Sequence, residues 1–311
     1  NVRGVLAASA AFSVMAAAPV YAQEAEESAK AEDFEQIAVV GSRAAPRSVA
    51  DSAVPIDIIS DEEFKQQGAT DMVSMMQTVV PSFNVNDQPI NDASTLVRPA
   101  NLRGMASDHT LVLVNGKRRH RSAVITFLGG GLSDGAQGPD ISVIPAAALK
   151  QVEVLRDGAA AQYGSDAIAG VINFVLNDAS EGGSFEARYG SFYEGDGDMI
   201  QMSGNVGLPL SDKGFINLSA EYRTADDTSR SVQRADAAAL IAAGNTFVAD
   251  PAQIWGSPEI KHDIKLFANA GIELSATSEA YMFGNYAERE VEGGFYFRNP
   301  HNRGGVNDGG T

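Results

Sequence analysis

Three absences limit what this sequence can be. It has no cysteine among its 311 residues, so a disulfide framework and a cysteine-ligated metal site are both excluded. Its 23 basic residues are outnumbered by 40 acidic ones, and a net charge of −17 disfavours general nucleic-acid binding, which needs a cationic surface. After the first 22 residues, no stretch is apolar enough to span a membrane as a helix. A membrane location for the mature chain would therefore require β-strands.

Motifs for catalysis and for metal or phosphate binding are also missing. The four histidines, His109, His120, His262 and His301, lack metal-ligand spacing. There is no Gly-x-Ser-x-Gly nucleophile motif, and the triple glycine at 129–131 lacks the lysine of a phosphate loop. We therefore predict no catalytic residue, no cofactor and no metal site.

The first 22 residues have the pattern of a secretory signal peptide. Arg3 supplies a positive charge, residues 5–18 are apolar, and Val20-Tyr21-Ala22 places small residues at both cleavage positions. A transmembrane helix is the weaker interpretation, because the run is short and an acidic stretch follows it. We expect cleavage after Ala22. Because Asn1 is not a methionine, we also expect the sequence to start inside a longer one.

Residues 23–48 read as a flexible tail with one strand-like island. Residues 23–34 are acidic and poor in large apolar side chains, which favours disorder. Residues 36–40, Gln-Ile-Ala-Val-Val, have strand character, and Pro46 prevents the strand from continuing. Such an isolated strand is either a marginal edge strand or a peptide that adds to the sheet of another protein.

Residues 49–178 predict a mixed α+β domain. Strands are expected at 55–59, 110–114, 151–155 and 171–176, with a helical turn at 145–149. Ser60 and Glu63 form a capping box for a short helix, and a second helix over 71–79 ends before Pro81. Asn115-Gly116 is a hairpin turn signal.

From residue 179 onward, apolar and polar residues alternate. Strands of this type are expected near 185–190, 200–208, 216–223, 264–273 and 278–286. Phe267 breaks the alternation, and the faces of the last strand cannot be assigned. Short connections at 209–214 and 275–277 contrast with a long one at 226–261, an asymmetry typical of outer-membrane barrels. A soluble β-sandwich also alternates but does not predict this asymmetry.

Three spans resemble the TonB-dependent outer-membrane receptors. Residues 35–43, Glu-Gln-Ile-Ala-Val-Val-Gly-Ser-Arg, are similar to the TonB box and the residues after it. Leu102-Arg103-Gly104 and the strand ending in Asn115-Gly116 are similar to two plug signatures. The most specific span joins residues 152–158, Val-Glu-Val-Leu-Arg-Asp-Gly, to 163–173, which begins Tyr-Gly-Ser-Asp. Asp157-Gly158 stands where the family usually has Gly-Pro after the arginine.

The resemblance implies a fold and an arrangement of domains. The fold class is an outer-membrane antiparallel β-barrel, incomplete here, preceded by a mixed α+β plug domain. The expected layout is a signal peptide (1–22), a flexible tail with the TonB box (23–48), a plug domain (49–178) and about five barrel strands (179–311). The expected location is the outer membrane of a Gram-negative cell, in contact with its lipid, with the plug and TonB box facing the periplasm.

The resemblance also implies roles for particular residues. Ile37, Ala38, Val39 and Val40 would bind the periplasmic protein TonB as an added strand. Arg103 and Arg156 would anchor the plug by pairing with barrel glutamates. Ligand contacts would come from plug apices and extracellular loops, and the residues expected there are Asn86, Asp87, Gln88, Ser107, Asp108 and His109.

The expected function is TonB-dependent uptake of a scarce nutrient, with a ferric siderophore or similar iron complex as the first expectation. Oligosaccharide or cobalamin uptake by the same mechanism remains open, as does a non-transporting surface receptor or adhesin. The basic cluster at 117–121 would attract an anionic metal chelate, or it would be a solvated hairpin face that neutralises nearby acid. The expected partners are TonB and a small-molecule or metal-chelate ligand, with no nucleic acid.

Overall fold

A computed structural model describes residues 37–38, 47–48, 56–65, 71–80, 82–85, 96–126, 133–156, 159–294 and 296–299. Strands β1 (Ile37–Ala38) and β2 (Arg47–Ser48) form an antiparallel pair. The other elements belong to a mixed domain, called the plug domain below, and to a long antiparallel sheet, called the barrel sheet. Within these ranges, none of the helices combines the length and hydropathy that crossing a membrane requires.

The plug domain is built on a five-stranded sheet in the order β3-β8-β9-β6-β7. Strands β6 and β9 are parallel, and the other neighbours are antiparallel. A small sheet of β4 and β5 and three short helices complete the domain. In chain order the elements are β3 (Ile56–Ser60), α1 (Asp61–Lys65), α2 (Met72–Val79), β4 (Phe83–Asn84), β5 (Asn101–Leu102), β6 (Thr110–Val114), β7 (Lys117–Arg118), β8 (Leu149–Leu155), α3 (Ala160–Tyr163) and β9 (Gly170–Leu176).

Both predicted helices begin with a side-chain cap, of which the first was predicted. Glu63 Oε2 accepts from the Ser60 N–H at 2.8 Å, and Ser60 Oγ accepts from the Glu63 N–H at 3.3 Å, so the capping box is confirmed. Asp71 caps α2 by accepting from the Ser74 N–H at 3.0 Å. The cap fixes the direction of α2, whose buried methionines pack into the main hydrophobic core.

The predicted hairpin between β6 and β7 turns at Asn115-Gly116. Both residues have positive φ, 47° and 72°, as a type I′ turn requires. The Asn173 amide oxygen accepts from the Gly116 N–H at 2.9 Å, and its Nδ2 donates to the buried Glu153 carboxylate at 3.0 Å. The turn is therefore tied to β9, which lies beside β6.

The barrel sheet consists of consecutive antiparallel strands. They are β10 (Gly183–Gly190), β11 (Met199–Pro209), β12 (Gly214–Ala225), β13 (Glu259–Ser275) and β14 (Ser278–Glu292), with helix α4 (Ala235–Ala242) between β12 and β13. The connections at 210–213 and 276–277 are short and share one end of the sheet, the turn end. Those at 191–198 and 226–258 are longer and share the other, the loop end. The predicted alternation of short and long connections is confirmed.

The barrel sheet has its apolar side chains outward and its polar ones toward the plug domain. Ile200, Met202 and Leu218 are exposed, whereas Gln201, Asn217 and Ser219 are buried. A water-soluble sandwich would show the opposite arrangement, because its apolar faces pack against each other. The alternation in this sequence is therefore that of a sheet whose outer face meets lipid.

Phe267 departs from the alternation because it belongs to the plug core. It points inward, is 3% exposed and joins the main hydrophobic cluster of the plug domain. Phe283 on β14 also packs against this cluster, while its neighbour Met282 is exposed. These two residues settle the faces of the last strand, which the sequence pattern left open.

Candidate functional site

The structure describes half of the predicted TonB-binding segment. Ile37 and Ala38 form β1, whose backbone pairs with Ser48 and Arg47 of β2. Val39 and Val40 lie outside the described residues. The segment therefore has extended backbone where it is described, the conformation that adding to another sheet requires.

The two predicted anchoring arginines occupy different settings. Arg103 has φ 55° and forms a tight turn with Gly104, while its N–H donates to the Ser82 carbonyl at 2.8 Å. Arg156 follows β8 and pairs with Asp57 of the neighbouring strand, with Nη2 2.7 Å from Oδ1 and Nε 2.6 Å from Oδ2. In the described part of the chain, Arg156 thus links two plug strands, and its pairing with a barrel glutamate stays a prediction.

The predicted ligand residues divide into a described group and an undescribed one. Asn86, Asp87 and Gln88 lie outside the described residues. Ser107, Asp108 and His109 form a 3₁₀ turn before β6.

Only part of this turn is accessible. Ser107 is buried, and the Asp108 carboxylate accepts from the Gln137 N–H at 3.0 Å, so it holds the neighbouring loop. His109 is exposed. Of these three residues, His109 is therefore the most exposed, and ligand contact by this turn stays a prediction.

The side chains of the basic cluster at 117–121 contact several different partners. Arg118 pairs with Asp166 at 2.5 Å, and the Lys117 ammonium lies 5.9 Å from the Tyr281 ring centroid. Arg119 donates to the Asn285 amide oxygen of β14 at 2.8 Å, and burial lowers the pKa of its guanidinium. These contacts favour a structural role, since two of them join the hairpin to the barrel sheet.

Charged side chains line the inner face of the barrel sheet in two rows. Strand register places five residues side by side in the row nearer the loop end, called the arginine row: Arg188, Gln201, Arg223, Asp263 and Arg289. The next row toward the turn end, called the lysine row, contains Glu186, Ser203, Glu221, Lys265 and Ala287. Both rows face the plug domain, so their charges lie in the seam between the two parts.

Within this seam, a buried ion-pair network joins three strands. Lys265 Nζ lies 2.5 Å from Glu221 Oε1 and 3.5 Å from Asp263 Oδ2, and all three side chains are almost completely buried. Arg289 Nη2 lies 2.6 Å from the same Asp263 oxygen. Each of these charges has an opposite charge beside it, as burial demands.

Arg289 connects this network to the plug domain. Its Nη1 donates to the Leu96 carbonyl and to Ser142 Oγ, each at 3.1 Å. Asp140 organises this corner of the plug, because its Oδ1 accepts from the Arg98 N–H at 3.1 Å and from Ser142 Oγ at 2.7 Å. Arg289 thus connects two segments of the plug domain, those of Leu96 and Ser142, to each other and to the barrel sheet.

Asp71 on the plug domain, the N-cap of α2, experiences the positive charges of Arg223 and Lys265 on the barrel sheet. Burial raises the pKa of its carboxyl, but Arg223, the hydrogen bonds from Ser74 and Lys265 together lower the pKa below its ordinary value. The ionised carboxylate that caps α2 therefore also supplies a negative charge to the seam.

At the turn end, asparagines fix the chain where the plug continues into the sheet. Asn269 Nδ2 donates to the Asn177 carbonyl at 2.9 Å, and Asn217 Nδ2 donates to the Ala179 carbonyl at 3.3 Å. A Cβ atom on Gly207 would lie 2.5 Å from the Ala179 oxygen. The linker therefore passes directly over Gly207 and is held against the sheet.

At the loop end, side chains tie three connections together. Arg230 pairs with Asp196 through two contacts, at 2.5 and 2.9 Å, and this guanidinium lowers the pKa of the Asp196 carboxyl. Trp255 meets Tyr296 edge to face, with ring centroids 6.0 Å apart. The long connection between β12 and β13 is thus braced against its neighbours, and its aromatic pair remains partly exposed.

The charged rows are the main feature that sequence reasoning missed. Arg223, Asp263 and Arg289 come from three strands, and only the register brings them together. The sequence does place charged residues at the polar positions of the alternating strands. This indicates that they lie on the inner face, but it does not show which residues pair with each other. Among the described residues, no group of three or more His, Cys, Asp or Glu side chains is arranged to hold a metal ion.

A sheet that is apolar outside and polar inside, with a globular domain packed on its inner face, defines a class. This is the architecture of an outer-membrane β-barrel wall with a plug. The described strands form an open sheet, with β10 and β14 at its edges.

Comparisons with known proteins find a matching plug-domain model and related receptors and transporters. The model described as TonB-dependent Receptor Plug Domain matches residues 48–171. A vitamin B12 transporter of Vibrio vulnificus is 33% identical over 135 residues, covering 43% of this chain and 19% of that protein. A ferric enterobactin receptor of Pseudomonas aeruginosa is 27% identical over 160 residues, covering 50% of this chain and 21% of that protein.

Solved structures show the same fold. A crystal structure of the ferric enterobactin receptor of Pseudomonas aeruginosa matches with a TM-score of 0.57 and 18% identity, over 77% of this chain and 33% of that one. The siderophore receptor PirA of Acinetobacter baumannii matches with a TM-score of 0.52 and 20% identity, over 76% and 32%.

Residues 48–171 of this chain are a plug domain of the TonB-dependent receptor type, and the described part of the chain shares the fold of the solved receptors. The chain spans about a fifth of the length of the two curated relatives and about a third of the solved structures. The proteins it resembles are named as receptors and transporters rather than as enzymes.

Proposed function

We propose that the receptor containing this chain takes up a scarce nutrient across the outer membrane, driven by TonB. The observation that carries the proposal is the plug domain packed on the polar inner face of a sheet whose outer face is apolar. A plug inside a barrel must be displaced or remodelled before cargo can pass, and this requires work. A passive pore has no use for such a domain.

The domain layout and partners follow from this proposal. Residues 1–22 would export the chain, residues 23–48 would present the TonB box to the periplasm, and residues 49–178 would close the barrel. TonB would bind Ile37, Ala38, Val39 and Val40 by β-augmentation, because main-chain hydrogen bonds then carry the pulling force. Asn86, Asp87, Gln88 and His109 would meet the cargo, with Ser107 and Asp108 holding the turn beneath it.

Two cargo classes are supported by relatives. A siderophore-iron complex is favoured by the ferric enterobactin receptor and by PirA, and cobalamin is favoured by the vitamin B12 transporter. Both are too large and too scarce for passive diffusion through a general pore. The iron complex is our first proposal.

A proline substitution in the TonB box tests the mechanism. Val39→Pro removes a main-chain donor from the proposed added strand, so energised uptake should fall to the level of a strain without TonB. Binding of labelled ferric enterobactin or cyanocobalamin to intact cells should be unchanged, because the plug and loops are untouched. The measurement compares binding with uptake of each compound in cells that lack other receptors for it.

The matched control is Ser28→Pro, which places the same residue in the tail ahead of the box. It should leave uptake intact. Uptake by Val39→Pro at the rate of the unchanged receptor would contradict the proposed role of residues 37–40.

A further inference from the structure

Strand β13 shows how the seam is closed along the inner face of the barrel sheet. Asn269, Phe267, Lys265 and Asp263 are every second residue of this strand, so their side chains point to the same face. Each of them is at most 5% exposed. The inner face of β13 is therefore closed to solvent at these positions, and three kinds of contact produce the closure.

On the turn side, hydrogen bonds join the sheet to the backbone of the plug domain. Asn269 Nδ2 donates to the Asn177 carbonyl at 2.9 Å, and Ser219 Oγ on β12 donates to the Ala147 carbonyl at 3.5 Å. Asn269 and Ser219 are both buried. Separation of the two parts would leave buried donors and acceptors without partners, which disfavours opening at this level.

In the middle of the seam, aromatic rings join the two parts by packing. Phe267 belongs to the main hydrophobic cluster of the plug domain, and Phe283 packs against the same cluster. Arg119 of the plug domain donates to the Asn285 amide oxygen at 2.8 Å, and Asn285 pairs in register with Phe267. Moving the plug off the sheet here would expose two rings and the core that they complete, which is unfavourable in water.

On the loop side, Arg289 extends the contact from the buried charges to the plug domain. Asp263 holds its guanidinium, with Oδ2 2.6 Å from Nη2, and Lys265 Nζ lies 3.5 Å from the same oxygen. Arg289 Nη1 donates to the Leu96 carbonyl and to Ser142 Oγ, each at 3.1 Å. Because Asp263 keeps Arg289 on the sheet, opening the seam would remove these plug acceptors from a largely buried guanidinium, which is unfavourable.

Helix α2 differs from the later plug segments in how it is attached. In the described part of the chain, no hydrogen bond joins residues 72–79 to the barrel sheet. The helix is held by the Asp71 cap and by the packing of its methionines. It also lies closer in sequence to the proposed TonB-binding segment than residue 96 does. A pull on that segment therefore reaches α2 before it reaches the contacts of the seam.

We infer that the seam with strands β12–β14 stays closed when the receptor opens, and that cargo passes along another side of the plug domain. The segments that move are those before Leu96, among them α2. Strands β12–β14 then serve as a fixed support for the rest of the plug. This inference rests on the proposed transport function and deepens it, because it excludes one side of the plug from the path of the cargo.

The first test bridges the seam in the full-length receptor and measures its current in planar lipid bilayers, with potassium chloride as the probe. Residues 1–311 contain no cysteine, and any cysteine beyond them is replaced by serine. Arg119→Cys with Asn285→Cys puts two thiols where the side chains now form a hydrogen bond across the seam. A short phenylene bis-maleimide joins them over the gap that the arginine leaves, and mass spectrometry verifies the bridge.

Urea at a concentration that loosens the plug but leaves the barrel inserted opens the receptor. The bridged receptor should reach the same conductance as the unbridged one, because the current does not run along the seam. Loss of the current on bridging would overturn the inference. No current through either form would also overturn it, since no path would then open beside a closed seam.

A second measurement needs no bridge and compares Val73→Cys on α2 with Ala148→Cys in the 3₁₀ turn at 146–148. Both positions are buried in the main plug cluster, at 6% and 3% exposure. In the same urea, a water-soluble maleimide should modify Val73→Cys several times faster than Ala148→Cys. Equal rates would contradict the inference, because the plug would then open as one unit. Neither assay contains TonB or cargo, so their failure is separate from a failure of the Val39→Pro test.

Discussion

At the scale of single residues, Lys265 shows how a charged side chain is buried between the barrel sheet and the plug domain. The side chain is 2% exposed and has two carboxylates within 3.5 Å. A buried ammonium costs several kcal/mol of solvation, and this cost is offset only when its partners are close. Lys265 therefore supplies a positive charge beside two buried carboxylates, those of Glu221 and Asp263.

Removing this lysine should destabilise the seam strongly. Lys265→Met keeps a long unbranched side chain but leaves the buried Glu221 carboxylate without its cation and Asp263 with Arg289 alone, at a cost of about 3–5 kcal/mol. Urea titration of the full-length receptor, followed by trypsin cleavage of the plug, should show release of the plug at a lower urea concentration.

The double variant Lys265→Met with Glu221→Gln is the control. It removes one charge of each sign, so much of the lost stability should return. A double variant less stable than the single one would show that packing, rather than charge pairing, determines the effect.

At the scale of elements, strand alternation predicted the sheet but not all of its contacts. The strands near 200–208 and 216–223 follow from period two, and Asn115-Gly116 follows from turn chemistry, because these signals are local. Phe267 looked like an error in the pattern, since its partners lie far away in the plug core. The arginine row could not be predicted from the sequence for the same reason, because it depends on the register of five strands.

Neighbouring residues on β13 allow a direct test of the two faces. Phe267 is 3% exposed in the plug core, whereas Leu266 is 47% exposed on the outer face. Phe267→Ala should weaken the packing of the plug domain against the barrel sheet by about 3–5 kcal/mol, because it leaves a cavity in the shared core. Leu266→Ala should have little effect on the plug. Both are measured by the same urea and trypsin assay, and equal losses would show that the faces are assigned wrongly.

At the scale of the whole molecule, the plug sheet has a protected centre and an exposed edge. Strand β9 lies between β8 and β6, whereas β3 has β8 as its one partner among the described strands. β3 is also the plug strand nearest in sequence to the TonB box. Backbone hydrogen bonds of an edge strand open at lower free energy than those of a central one.

Hydrogen exchange of the full-length receptor in detergent micelles should therefore be graded across the plug. Amides of β3 should exchange fastest, and those of β9 should exchange most slowly, by mass spectrometry of peptic fragments. The central strand serves as the internal reference. Uniform exchange across β3 and β9 would mean that the plug opens as one unit.

The inward pair Phe267 and Phe283 has a consequence for exchanging parts between receptors. These two rings come from the barrel sheet yet complete the hydrophobic core of the plug. In a chimera, a plug cut at its sequence boundary would be placed in a barrel from another receptor without Phe267 and Phe283. The barrel wall would then present side chains that do not fit the core of the transplanted plug. The plug and these two positions of the barrel sheet therefore form one packing unit. A chimera that transfers the plug together with Phe267 and Phe283 should pack correctly, whereas one that transfers the plug alone should not.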